Sequence, residues 1–565
     1  MDPIANRLLA LFSLVVVVSA CSSAGTNGSG GARAGGGGAG GAANDMSSLP
    51  PVGSIVPGDT GDPSATGPLA LRRLTNDEYD ATVKDMLGDE TRPARMFPGN
   101  VSTSFGFVGA GPADVTQTRA FAEAAEALAA KGLETLARLY PCQAGNAQAE
   151  TNCGRAFVEK AGKRLFRRPL TPVELADYGG LYEQARKDLS LGHVEAERLI
   201  LSALLQSPQF LYLWQDGRRE AKEQVRLDDY TLASRLSYFL WGSAPDDELM
   251  KAADDAKLGD VQERERQARR MLKDERAKPR LAAFIEEWLL VNRLFDTSKS
   301  PEIYPTYSAD TAKAMAAETR ALVANVVVAG DGKLSTLLST RKAWIDETTA
   351  GLYGVSAGSA AQAIDLMEGQ RAGILTRLAF LSASGATNGS HPVKRGKVIF
   401  TRVLCRDVGV PPAEIPDVAP PRPGVTTRQR FAEHGANPGC RGCHEQLDPL
   451  GFAFEHYDGI GKRRDTDNGQ AVDASGTVQL DGIDHAFANG VELSRLLGES
   501  SEVKDCLVRQ AFRFMQHRLE SAVDLNSLGS SLGSFLEASG DVRELFVALA
   551  RSRAFAYRTA TPGDL

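Results

Sequence analysis

In the run Cys440-Arg441-Gly442-Cys443-His444-Glu445-Gln446-Leu447-Asp448-Pro449-Leu450-Gly451-Phe452, a histidine directly follows a Cys-x-x-Cys pair. That spacing is the attachment signature of c-type haem. Two thiols that add across the vinyl groups of one porphyrin must sit about a helical turn apart. The adjacent His444 can then swing under the ring and ligate the iron. Two blander readings compete: a redox thiol pair, or half of a zinc site. A zinc site would want a second ligand pair, and the chain has no other Cys-x-x-Cys. The expectation is one haem c per chain, with Cys440 and Cys443 as attachment points and His444 on the metal.

Outward from this motif, the chain is too long for one core. At 565 residues it predicts several structural units. The composition, 42% hydrophobic and 24% charged, is that of a globular protein able to bury large cores. The net charge of -7 offers no basic field, so nucleic acid is not an expected partner.

The N-terminus sets the expected compartment. Residues 8–20 form an apolar run that is too short to span a bilayer and ends in Val18-Ser19-Ala20-Cys21. This fits a signal peptide over residues 1–21. It also resembles a bacterial lipobox, in which Cys21 would be the lipidated first residue of the mature chain. Ser22 after Cys21 leans toward the outer membrane, at its periplasmic or cell-surface face. Residues 22–66 are rich in Gly, Ser and Ala and read as a flexible, disordered tether. The membrane would then be reached through the lipid alone. Of the seven cysteines, Cys142 and Cys153 lie in a polar loop and read as a disulfide. Cys405 and Cys506 remain, as buried thiols or as a bridge.

The body reads as mainly α, divided into helical units over 67–154, 155–226, 227–360, 361–466 and 467–565. Thr75 and Glu78 form a capping box at one helix start. Thr171, Pro172 and Glu174 repeat the device. The arginine pairs before these caps, Arg72-Arg73 and Arg167-Arg168, are expected to meet carboxylates on neighbouring helices. Residues 119–140 are an Ala-rich helix, and Leu232, Leu236, Phe239 and Leu240 share the face of another. No strand-rich block is expected before residue 360. The proline segment 411–423 is stiff and extended, and residues 473–482 suggest a small hairpin.

Several segments together carry a resemblance. They are Arg72-Arg73-Leu74-Thr75, Phe166-Arg167-Arg168-Pro169-Leu170-Thr171, Ala233 through Trp241, Arg371-Ala372-Gly373-Ile374-Leu375-Thr376, and Cys440 through Arg464. In this order they resemble the secreted multi-domain proteins of planctomycetes and myxobacteria, built from domains of unknown function around a cytochrome c-like motif. The resemblance implies an exported haem protein with a cytochrome c-like unit and supplies no substrate. His391 and His456 depart from the family pattern and are not family ligands.

Candidate ligands follow from helical faces. Met515 lies on an apolar face with Val508, Ala511 and Leu519, which makes it the preferred sixth ligand over His517 on the polar face. Ordinary core packing is the competing role for Met515; His456, close in sequence to the motif, is a further candidate, and an open sixth position is the remaining outcome. His434 and His485 read as solvated. The free ring nitrogen of His444 should donate to a carbonyl, with that of Pro449 as the expected acceptor, while Asp448 caps a turn. Asp448, Glu455 and Asp458 read as partners of Arg463 and Arg464, with general acid–base work or Ca²⁺ as alternatives. No catalytic residue is assigned. The chain has no nucleotide fingerprint, nucleophile elbow or His-Glu-x-x-His. The leading function is a lipid-anchored monohaem cytochrome in electron transfer with a redox protein partner. The alternatives are a peroxidase-like haem oxidoreductase and a non-haem surface binding or scaffold protein.

Overall fold

The computed structural model describes residues 49–58, 61–111, 113–142, 146–409, 417–562 and 564. The signal segment with Cys21, most of the tether and part of the proline segment lie outside these. The described chain is mainly helical, as expected.

The first helices are α1 (Asn76–Leu87), α2 (Val115–Leu139), α3 (Ala147–Phe166), α4 (Pro172–Lys187) and α5 (His193–Gln206). Both expected capping boxes are present. Thr75 accepts from the Glu78 N–H while Glu78 accepts from the Thr75 N–H, and Thr171 and Glu174 do the same. In α2, Phe121, Ala125, Leu128 and Leu136 return at helical spacing and are buried against Tyr79, Val158 and Leu204. Each fully buried large apolar side chain here contributes roughly 1.5–3 kcal/mol. The arginine pairs depart from expectation. Arg72 and Arg168 pair bidentately with Glu78 and Glu174, the capping glutamates of the helices they precede. Arg167 donates to the Phe210, Gln209 and Tyr212 carbonyls, and Arg73 lies over the Phe121 ring. One glutamate thus satisfies a helix start and an arginine together, and the identical offset in both copies explains the repeated sequence.

Strands do occur before residue 360. β1 (Gly217–Ala221) and β2 (Gln224–Leu227) form a hairpin. In β2, Val225 and Leu227 are buried and alternate with half-buried Gln224 and Arg226, a period too short to stand out in sequence. β2 also pairs antiparallel with Tyr557–Thr559 at the far end of the chain.

Beyond it lie α6 (Asp229–Leu240), α7 (Ala277–Trp288) and α8 (Ala309–Val323). They share one core with the C-terminal helices. Phe239 stacks on Phe546 at 4.8 Å, and Phe284 lies 5.3 Å from Phe514 and 5.2 Å from Phe546. Residues 227–360 and 467–565 are therefore packed side by side, although far apart in sequence.

The motif unit is set by α9 (Pro392–Val398), α10 (Thr427–Gly435) and α11 (Pro438–Phe452). α9 and α11 touch backbone to backbone: a Cβ on Gly451 would lie 2.0 Å from the Pro392 carbonyl oxygen, and one on Gly396 2.1 Å from that of Leu447. Fully buried Arg395 donates to the Phe454, Tyr457 and Asp458 carbonyls and ties down the chain leaving α11. Arg371 bonds the Thr376 and Gly461 carbonyls between the rings of Tyr353 and Tyr457. These segments of the family pattern are thus structural. A hairpin does form, but the range 473–482 expected for it holds only its first strand and turn: it is built from β3 (Gly476–Leu480) and β4 (Ile483–Phe487). Its turn places Asp481 at φ 52° and Gly482 at φ 80°, the left-handed pair a two-residue hairpin requires. The chain ends through α12 (Gly490–Glu499), α13 (Ser501–Gln516), α14 (Leu525–Glu537), α15 (Val542–Arg551) and β5 (Tyr557–Thr559).

Candidate functional site

Asn437 caps α11 by accepting from the Gly439 N–H, and Pro438 occupies the first position, where a missing N–H costs nothing. Cys440 and Cys443 follow one turn apart. Cys440 is buried, Cys443 is half-buried, and both are free thiols. The Cys443 thiol points to the Val408 carbonyl at 3.4 Å. The other described cysteines are paired: Cys142 with Cys153, as expected, and Cys405 with Cys506, where thiol and bridge had stood open. Cys405–Cys506 fastens the segment after α9 to α13.

The partner of His444 differs from the expected one. Its Nδ1 lies 3.0 and 3.1 Å from the two carboxylate oxygens of Asp448. An ionised carboxylate only accepts, so Nδ1 carries the proton and Nε2 keeps a free lone pair. Asp448 stands four residues on, where helical geometry places it on the same face. The Pro449 carbonyl instead stays in the helix ladder, accepting from the Ala453 N–H. Burial pushes the Asp448 carboxyl up, and the His444 and His434 rings pull it back.

His434, read from sequence as solvated, is a neighbour of this site. It sits in the last turn of α10 with its ring centroid 5.0 Å from that of His444, edge to face. Gly435 permits the approach, because a Cβ there would lie 3.0 Å from the His444 Cβ and 3.3 Å from Asp448 Oδ2. His391 caps α9 by accepting from the Lys394 N–H, and its ring lies 5.3 Å from Phe431 of α10. Burial pushes the pKa of His391 down to about 4. Only the adjacency of α10 to the motif could have pointed to His434. The contact is made in tertiary space.

Other candidates lie apart. Met515 and His517 line a small cavity with Arg235, Phe239 and Phe514, and no residue lining it comes from α10 or α11. The apolar face that singled out Met515 is the face α13 turns to the core. His456 Nδ1 lies 3.1 Å from the Arg464 carbonyl, and His485 stands on β4. The carboxylates separate as well. Glu455 meets Arg464 at 2.8 Å and the Ser390 hydroxyl, whereas Asp458 accepts from the Ile460 and Lys462 N–H groups in a turn. Arg463 pairs with Asp465 instead.

This donor set fits haem chemically: two free thiols one turn apart, and an adjacent imidazole oriented by a carboxylate. It does not fit a closed zinc site, since among the described residues no group of three or more His, Cys, Asp or Glu could hold a metal ion. Four segments match family models, each described as a protein of unknown function: PSD3 (DUF1587) over residues 72–133, PSD5 (DUF1595) over 153–214, PSD4 (DUF1592) over 227–355 and PSCyt3 (DUF1588) over 371–467. The last contains all of α11, and its label hints at a cytochrome-like family. No curated protein and no solved structure matches the chain.

Proposed function

We propose that this chain, assembled from those four matched segments, carries one haem c on Cys440 and Cys443 with His444 on the iron, and works in electron transfer with a redox protein partner. The supporting observation is that these two thiols are free on one turn of α11 beside His444, whose Nδ1 is held by Asp448. When bound, haem supplies a one-electron couple at its iron. Asp448 fixes the tautomer and orientation of His444 and raises its basicity. Cys440 and Cys443 fix the ring on α11, and the glycine contacts of α9 with α11 keep that helix rigid.

Export completes the reading. Two disulfides suit an oxidising compartment, and the lipobox-like Cys21 with its tether would hold the body at the periplasmic or cell-surface face of the outer membrane. A second reading, a haem-dependent oxidoreductase, is favoured by the placement of Met515 away from α11. The test is a pyridine-haemochrome spectrum of the protein made with haem-maturation machinery, beside a Cys440→Ala/Cys443→Ala variant. A covalent c-type band lost in the variant is expected. CO binding by the ferrous protein would favour the oxidoreductase over the carrier. No haem in the wild type, with a control cytochrome matured in parallel, would sink both.

A further inference from the structure

A cleft of about 840 Å³ opens between α1, α7 and the end of α13, within the size range of ligand sites. A chamber of about 20 Å³ adjoins it, and Arg280, Phe514 and His517 line both. His517 ends α13 in the left-handed conformation at φ 52°.

The charges in the chamber do not balance. Arg72, Arg235 and Arg280 all line it. Arg72 is taken up by Glu78, which also lies 3.5 Å from Arg280. The remaining bonds of Arg280 are a donation to the Phe239 carbonyl and a seat 4.2 Å over the Phe514 ring. Arg235 donates only to neutral oxygens, those of Phe555, Gln215 and Gln516, at 2.9–3.1 Å. Glu78 and Glu287 thus answer Arg72 and Arg280, while Arg235 faces the chamber with no carboxylate partner among the described residues, a costly arrangement unless an anion completes it. Burial, followed by Arg72 and Arg518, lowers the Arg235 pKa to about 9. Burial also leaves the His517 ring neutral, free to donate or accept.

The geometry points to a binding site for a carboxylate-bearing small molecule, with its acid group in the chamber against Arg235 and Arg280 and its uncharged or cationic body in the outer cleft. Size selects the acid, because the chamber admits little beyond one water-sized group, which suits a carboxylate better than a phosphate. The mouth selects the body. Asp77, Asp89, Glu90, Glu286 and Glu287 outnumber Lys84, Arg92 and Arg320, two of those acids being paired with Arg92 and Lys84, so the mouth disfavours polyanions, while Val291, Phe295 and Phe514 supply apolar contact. The site is independent of the haem reading, since none of its lining residues comes from α11.

The experiment uses the full chain. Thermal unfolding and calorimetric titration are run with acetate, propionate and benzoate, with acetamide and benzyl alcohol as neutral counterparts, and with inorganic phosphate, all at matched ionic strength. The carboxylates should bind and stabilise, and the neutral compounds should not. Arg235→Gln should weaken carboxylate binding about 10- to 100-fold, the loss of one charge-assisted bond. The ligand-free variant should unfold no earlier than wild type, because an uncompensated cation is gone; a merely structural arginine would lower the transition instead. The proposal is overturned by equal effects of acetate and acetamide, by no carboxylate binding up to about 50 mM, by unchanged binding in Arg235→Gln, or by phosphate binding more tightly than every carboxylate.

Discussion

Glu78 and Glu174 hold the same position in two copies of one device, so Glu→Gln at each separates the effect of burial from that of sequence. Glutamine keeps an oxygen to accept the cap N–H, and the substitution removes the charge together with one acceptor of the bidentate arginine pair. The Glu78 side chain is 2% exposed and Arg72 is 18%, whereas Glu174 and Arg168 are 17% and 23% exposed. Burial would raise the Glu78 carboxyl, but Arg72 and Arg280 outweigh it and hold it near 2, against an ordinary 4.5. Two and a half pKa units correspond to about 3 kcal/mol, in line with the roughly 3–5 kcal/mol lost when a buried pair is broken. For the more exposed Arg168–Glu174 pair, a loss of about 1 kcal/mol is expected. The sign follows from the depressed pKa: the contribution is full above the unfolded value and is lost as pH falls through the folded one. At pH 3 it should have shrunk to about 1.4 kcal/mol. Urea unfolding of both variants at pH 7 and pH 3 reads this out. Equal losses in Glu78→Gln and Glu174→Gln, or a Glu78→Gln loss that does not shrink at pH 3, would refute the reasoning.

Further perturbations test the other contacts. In haem-loaded protein, Asp448→Asn should raise the reduction potential by about 60–120 mV, if the carboxylate favours the oxidised state 10- to 100-fold; potentiometric titration measures it, and an unchanged potential argues that Asp448 does not tune His444. Gly451→Ala drives a methyl into the Pro392 carbonyl and should cost about 3 kcal/mol. Its urea midpoint should fall well below that of Gly442→Ala, where open space surrounds the new methyl. Chain entropy predicts about 4.7 kcal/mol for removing Cys405–Cys506, which spans 101 residues, against roughly 3 kcal/mol for Cys142–Cys153, which spans 11. Alanine pairs compared by denaturant midpoint should keep that order.

Sequence alone determined what is made within a few residues of itself. Thr75 with Glu78, Thr171 with Glu174, the Asp481-Gly482 turn and the placing of two thiols and His444 on one helical turn are all local. The hydrogen-bonding reach of a side chain and the helical repeat decide them, and no distant residue need be known. Tertiary structure decided the rest. The bonding of Cys405 to Cys506, the pairing of Tyr557–Thr559 with Gln224–Leu227 and the meeting of Phe239 with Phe546 depend on which distant surfaces the chain closes together. The approach of His434 to His444 depends on the angle at which α10 meets α11 across Gly435. The partner of His444 shows the boundary between the two: Asp448 was legible as a neighbour on the same face, but only the packed helix, with the Pro449 carbonyl held in its ladder, left the carboxylate as acceptor. The arginine-lined chamber lies at the far end of that scale, because Arg72, Arg235, Arg280 and His517 come from four separated segments, and only packing brings the three arginines to one chamber.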